Sequence, residues 1–318
     1  MKASTKRGLK NFFTLPVIVS AIVLLAIVTV AVFAYQIAPQ DPNEITLSEI
    51  LQPPSAKHLL GTDKTGRDNF SRIVVGSRTT ILSALFVVLI SMGIGVPYGL
   101  ISGYYGGLLD KVLMRVSDVI LSFPSLLLAF LFVAAFGRGI INAVIALGIV
   151  YVPMLARLTR SLVLVEKNKV YVEAARSVGF SNRHILLSEI LPNCISTILV
   201  QSMLDIGYAI LDLAAMSFLG LGVQPPTADW GAMLEDGREI IQFAPMTAVA
   251  PGIMIVVTVV AINIFGDGIS QFRDPQQRKL PSLRKFRRQV GRIDLGGPAP
   301  APASAAQLGA PQEGAQHV

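Results

Sequence analysis

Charge is what this 318-residue sequence has least of. Only 15% of its residues are Asp, Glu, Lys or Arg, while 52% are apolar; an average soluble domain is about 25% charged, so the chain lacks the polar groups to wet the surface of a soluble fold. Cysteine is scarcer still. Cys194 stands alone, which excludes an internal disulfide and a thiolate metal cluster. His58, His184 and His317 lie far apart, which argues against a histidine metal site, so no metal is expected. No nucleophile-base arrangement is visible, so the chain does not read as an enzyme. Nor is there a solenoid-type repeat. The net charge of +7 comes mostly from bases that flank apolar stretches, where membrane topology accounts for them better than nucleic acid does.

What the chain does have is long runs without charge. About 20 apolar residues are needed to cross a bilayer, because backbone groups cannot stay unpaired in lipid. Residues 15–35, 79–109, 119–137, 139–156 and 240–266 carry no charged side chain, and 195–219 is interrupted only by Asp205 and Asp212. This predicts an all-α, polytopic membrane protein with six transmembrane helices. If the N-terminus is inside, twenty of the 27 Lys and Arg fall on the cytoplasmic side, which places both termini in the cytoplasm. The first run is longer than a signal-peptide core and no A-x-A site follows it, so it reads as an anchor.

The organisation that results has four parts. Residues 1–36 hold the cytoplasmic N-terminus and first helix, and 37–78 form an extracytoplasmic segment. Residues 79–275 make a core of five helices with a cytoplasmic loop at about 166–193. Residues 276–318 are basic and then rich in Pro and Ala, a composition expected to be disordered.

Several motifs carry alternatives. "GTDKTGRD" at 61–68 nearly fits the phosphate-binding pattern, but Arg67 and Asp68 replace its lysine and hydroxyl residue, so it reads as a turn and the chain binds no nucleotide itself. Asp205 and Asp212, two turns apart, share a helix face and either line a polar route or are satisfied locally. "SMGIGVPYGLISGYYGG" at 91–107 contains Gly95, Gly99, Gly103 and Pro97; helix packing is one reading and a gate or kink at Pro97 the other, and Pro124 in the next run raises the same choice. Trp230 reads as an interfacial anchor.

The polar stretch "EAARSVGFSNRHILLSEILPN" at 173–193 is unlike its surroundings. Val170, Ala174 and Val178 recur at helical spacing, with Tyr171 and Ala175 alongside, and Lys169 can pair with Glu173. Gly179 permits a turn, Ser181 or Asn182 can cap a second helix, and Pro192 suits the first turn of the next span. A helix, a bend and a helix result, with small residues that let another protein come close. An amphipathic loop lying on the membrane is the alternative.

This stretch resembles the EAA loop of permease subunits of binding-protein-dependent ABC importers. Glu173, Ala174, Ala175, Gly179, Leu191 and Pro192 match its signature, while Glu189 stands where Ile is usual. "HLLGTDKTGRDNFSRIVVGSRTT", "SFLGLGVQPPTADWGAML" and "FGDGISQFRDP" are similar to the C-type permease of the dipeptide, oligopeptide and nickel branch. The resemblance implies an ABC importer permease fold in a bacterial cytoplasmic (inner) membrane, in contact with lipid. It implies uptake of di- or oligopeptides, with nickel chelates, glutathione or another small solute as the alternative. The implied partners are a B-type permease subunit, two ATPase subunits and an extracytoplasmic solute-binding protein. Glu173, Ala174, Ala175 and Gly179 would couple to the ATPases. No cofactor is expected on this chain, since ATP and magnesium would sit on the ATPases. A self-sufficient secondary transporter is the rival class, hinted at only by Asp205 and Asp212.

Overall fold

The computed structural model describes residues 14–273. The tail at 276–318 and the basic residues before Thr14 lie outside the described residues, and with them the expectations that fell there. Helices dominate; the nearest approach to a sheet among the described residues is an isolated bridge between Thr62 and Asp68.

Five helices are long and apolar enough to cross a membrane, and a bent pair of shorter helices makes a sixth if the two are taken as one span. The first, α1 (Leu15–Val32), starts with Pro in its first turn, where a missing N–H costs nothing. The second, α2 (Asn69–Tyr105), begins ten residues earlier than the charge-free run because Asp68 caps it, accepting Ser71 N at 2.8 Å and Ser71 Oγ at 2.7 Å. Its 37 residues extend about 55 Å, well beyond the roughly 30 Å of hydrocarbon. Pro97 leaves α2 a single helix.

The third expected span is broken. Helix α3 (Gly107–Leu121) and helix α4 (Ser125–Phe136) meet at 86°. Pro124 lies at the joint and steers Phe123 out of helical backbone, so the helix stops there. Helix α5 (Ile140–Glu166) follows, then short α6 (Val170–Ser177). Helix α7 (Asn182–Phe218) runs through a π-helical turn at Ile185–Ile190. That turn ends just before Pro192, which has no N–H to give to the usual ladder, so the second helix of the polar stretch and the next span form one element instead of two. Helices α8 (Trp230–Glu239) and α9 (Met246–Arg273) complete the order.

Two apolar clusters hold these helices. The larger joins Val87, Val133, Leu147, Ile210, Trp230 and Ile255 from α2, α4, α5, α7, α8 and α9. Trp230 is therefore not an interfacial anchor. It is fully buried, and its Nε1 donates to Ile73 O at 3.0 Å. The smaller cluster joins Leu100, Tyr104, Val163, Val172, Ala175, Ile185 and Ile190 at the other end of α2. Between them α2 and α5 touch backbone to side chain: a Cβ on Gly99 would lie 2.4 Å from Ala156 O, and one on Gly103 would lie 2.9 Å from Val163 Cβ. Packing is the reading of the glycine stripe that the contacts support.

Candidate functional site

The polar stretch is built from α6 outward. Glu166, at the end of α5, takes Lys169 Nζ at 2.6 Å and the Tyr171 hydroxyl at 2.7 Å. Lys169 thus pairs with Glu166 and not with Glu173, because Lys169 is the extended N-cap of α6 and lies outside the helix that carries Glu173. Helix α6 turns Val172 and Ala175 inward, 0% and 8% exposed, against Ile185, Leu186 and Ile190. The face one residue over points away: Glu173 and Ala174 are exposed, with Val170 at 79%, Val178 at 75% and Phe180 at 47%. Of the two alanines, Ala174 is open to a partner while Ala175 packs the helix down.

The end of α6 is a Schellman motif. Gly179 N donates to Arg176 O at 3.0 Å and Phe180 N to Ala175 O at 3.1 Å, with Gly179 at φ +90°. Nothing lies within 4 Å of where its Cβ would be, so glycine is required by backbone conformation and not by space. Ser181 then caps α7, its Oγ accepting His184 N at 3.3 Å. The segment is tied down from α2 by the Tyr104 hydroxyl on Asn182 Oδ1 at 2.8 Å and by Arg176 over the Tyr104 ring at 5.6 Å. Lys167 Nζ reaches Gly103 O at 2.8 Å. Glu189 is half-buried and does not disturb the packing, which Ile185, Leu186 and Ile190 provide.

Asp205 and Asp212 lie elsewhere, on α7. Gln201 donates to Asp205 Oδ1 at 2.9 Å, and the Tyr151 hydroxyl on α5 donates to Asp212 Oδ2 at 2.8 Å. Of the two prolines, Pro124 sits at the 86° joint and Pro97 on an exposed side of unbroken α2. No group of His, Cys, Asp and Glu among the described residues is placed to hold a metal.

At the far end of α2 a strap at 38–68 crosses the helix start. Its "GTDKTGRD" segment is a turn: Asp63 Oδ1 accepts Thr65 N at 2.8 Å and Arg67 N at 3.1 Å, and Asp63 Oδ2 takes Arg67 Nε at 2.6 Å. Gly66, at φ +80°, passes so close to Thr46 that a Cβ would lie 2.0 Å from its carbonyl oxygen. Burial pushes the Asp63 carboxyl up, but the Thr65 hydrogen bonds and the Arg67 charge outweigh it and hold the group below its usual value. Lys64 and Arg67 reach Asp236 on α8 at 3.0 and 3.2 Å, so strap and α8 are joined. Sequence reasoning did not find α8, although Asp229 before Trp230 is a cap signal; its Oδ2 accepts Gly231 N and Ala232 N.

A bundle of five spans and a bent pair, with a short helix braced at one end, is the form of a transport-system membrane component. Residues 95–279 match the family of binding-protein-dependent transport system inner membrane components, and this chain belongs to that family. It is 42% identical over 259 residues to a probable D,D-dipeptide transport system permease protein of Escherichia coli, covering 81% of this chain and 87% of that one. A dipeptide transport system permease protein of Alkalihalophilus pseudofirmus is 42% identical, covering 82% and 86%. A glutathione transport system permease protein of Pectobacterium atrosepticum is 41% identical, covering 81% and 86%. Among solved structures, an inward-facing methionine ABC transporter shares the fold with a TM-score of 0.54 at 17% identity, over 64% of this chain and 98% of that one. The chain is an inner-membrane permease component of an ABC importer.

Proposed function

We propose that this chain forms half of the translocation pathway of an ATP-driven importer for di- or oligopeptides. Its partners are a B-type permease, two ATPase subunits and an extracytoplasmic solute-binding protein, with both termini in the cytoplasm. The relatives that transport dipeptides and glutathione support a peptide or peptide-like solute, and glutathione is the second reading because relatives of both kinds are equally similar. The observation that carries the coupling role is the outward face of α6, where Val170, Ala174, Val178 and Phe180 are exposed on a helix otherwise locked down. ATP and magnesium bind the partner ATPases. When those subunits close on ATP they pull this face, and α5 and α7, which continue from it at either side, tilt as bodies.

Ala174→Asp places an unpaired charge in the docking surface and is expected to lower nucleotide-driven uptake by the reconstituted complex about tenfold or more, with this subunit still folded. Full stimulated uptake in that variant would overturn the coupling assignment. The solute is settled by isolating the binding protein that co-purifies with the complex and identifying what it holds; a ligand without a peptide or γ-glutamyl bond would overturn the peptide reading.

A further inference from the structure

One face of α7 is polar, is only partly covered by the core, and takes no part in the coupling segment. Positions 201, 205, 208 and 212 lie within a narrow sector of the helix, and they are Gln201, Asp205, Tyr208 and Asp212. Tyr208 is 55% exposed, and exposed Thr197 and Asn193 continue the face toward the π-helical turn. On the opposite side of the same helix the exposed residue is Leu199. Lipid would favour leucine on both sides, since a carboxylate at depth is costly to insert.

The two carboxylates are also incompletely served. A carboxylate offers about four acceptor positions. Asp205, only 7% exposed, receives Gln201 on Oδ1, and its Oδ2 has no donor among the described residues. Among the described residues Asp212 receives the Tyr151 hydroxyl alone. No Lys, Arg or His among the described residues pairs with either of them, whereas the acids at the ends of the bundle, such as Asp110 with Arg160 and Asp118 with Arg157, do have cations. An apolar bundle that holds two acids next to an exposed polar stripe, without a counter-ion, leaves a place for a cation.

We propose that this face is the solute-facing wall of the route, and that Asp205 and Asp212, set by Gln201 and Tyr151, receive an ammonium group of the passing solute. The inference rests on the importer reading above and gives that solute a positive end. A basic side chain of the partner permease is the competing occupant.

The test uses the whole complex in membranes, on a Cys194→Ser background, since Cys194 is the one native thiol of this chain, with the unsubstituted background complex as the reference for thiols of the partners. Tyr208→Cys and Leu199→Cys are labelled in turn with a cationic and an anionic water-soluble methanethiosulfonate. Tyr208→Cys is expected to react, and about tenfold faster with the cation than with the anion, relative to a free thiol; Leu199→Cys is expected to stay unlabelled. Adding Asp205→Asn and Asp212→Asn should collapse that preference, and Asp205→Asn alone should reduce it if the double variant does not assemble. An unreactive Tyr208→Cys overturns the wall. Equal rates for the two reagents, or a preference unmoved by the Asn variants, overturn the cation site, as a partner's basic residue would produce. Failure of the importer reading shows differently, as absent nucleotide-dependent uptake in a complex whose labelling is unchanged.

Discussion

Single residues carry more of this fold than their number suggests, and Asp63 is the clearest case. It is buried, holds its own turn, and pairs with Arg67, which in turn reaches Asp236. Removing one member of a buried pair costs about 3–5 kcal/mol, so Asp63→Asn is expected to loosen the strap by about 3 kcal/mol, read as faster protease cleavage within 38–68 in the detergent-solubilised protein. The pH dependence has a definite sign. Folding lowers the Asp63 carboxyl below its unfolded value, so the stabilisation is present above about pH 4 and is lost as pH falls through the lower, folded value. Strap protection from protease should therefore fall on acidification in the native chain and change less in Asp63→Asn. Trp230 was misread from sequence because a lone tryptophan near a polar loop is a common interfacial pattern; its burial comes from Ile73 O and the surrounding helices, which lie far away in the chain. Trp230→Ala should cost about 3–5 kcal/mol, measured as a drop in thermal midpoint.

At the scale of elements, the spans were legible wherever a charge-free run coincided with a helix, as at 15–35 and 240–266. The start of α2 was not, although Asp68 followed three residues later by Ser71 is a local cap signal. The break between α3 and α4 was half legible: Phe123-Pro124 marked the place, but only the surrounding packing sets the 86° angle. The sequence spacing puts Val170, Ala174 and Val178 on one face of α6 and all three are exposed, yet the inward role of Ala175 was invisible because its partners Ile185 and Ile190 belong to another helix. This separates two substitutions that the sequence treats alike. Ala175→Asp should disturb the packing of α6 and lower thermal stability, whereas Ala174→Asp should leave stability alone and act on coupling. Gly179→Ala tests the cap: a left-handed non-glycine residue costs about 1–2 kcal/mol, so partial uncoupling is expected, measured as ATP hydrolysed per solute imported.

For the whole molecule, α2 sets the geometry. The strap with Lys64 lies at its first turn, while Tyr104 at its last turn grips Asn182 next to Gly179. Those two sites are therefore on opposite sides of any membrane the helix crosses. Single cysteines at Lys64 and Gly179, in the Cys194→Ser background, are expected to be labelled from opposite faces of sealed vesicles, with Gly179 on the cytoplasmic side; labelling of both from one side would contradict the assignment of α2 as a span.

The Gly99 and Gly103 contacts leave no side chain of α2 between α2 and α5, with a would-be Cβ only 2.4 Å from Ala156 O. Two rods seated that closely cannot slide along one another without collision, so they must travel as one beam. Any shape change during a transport cycle has to find its slack elsewhere, and the kinked joint at Phe123 is where the chain already turns through 86°.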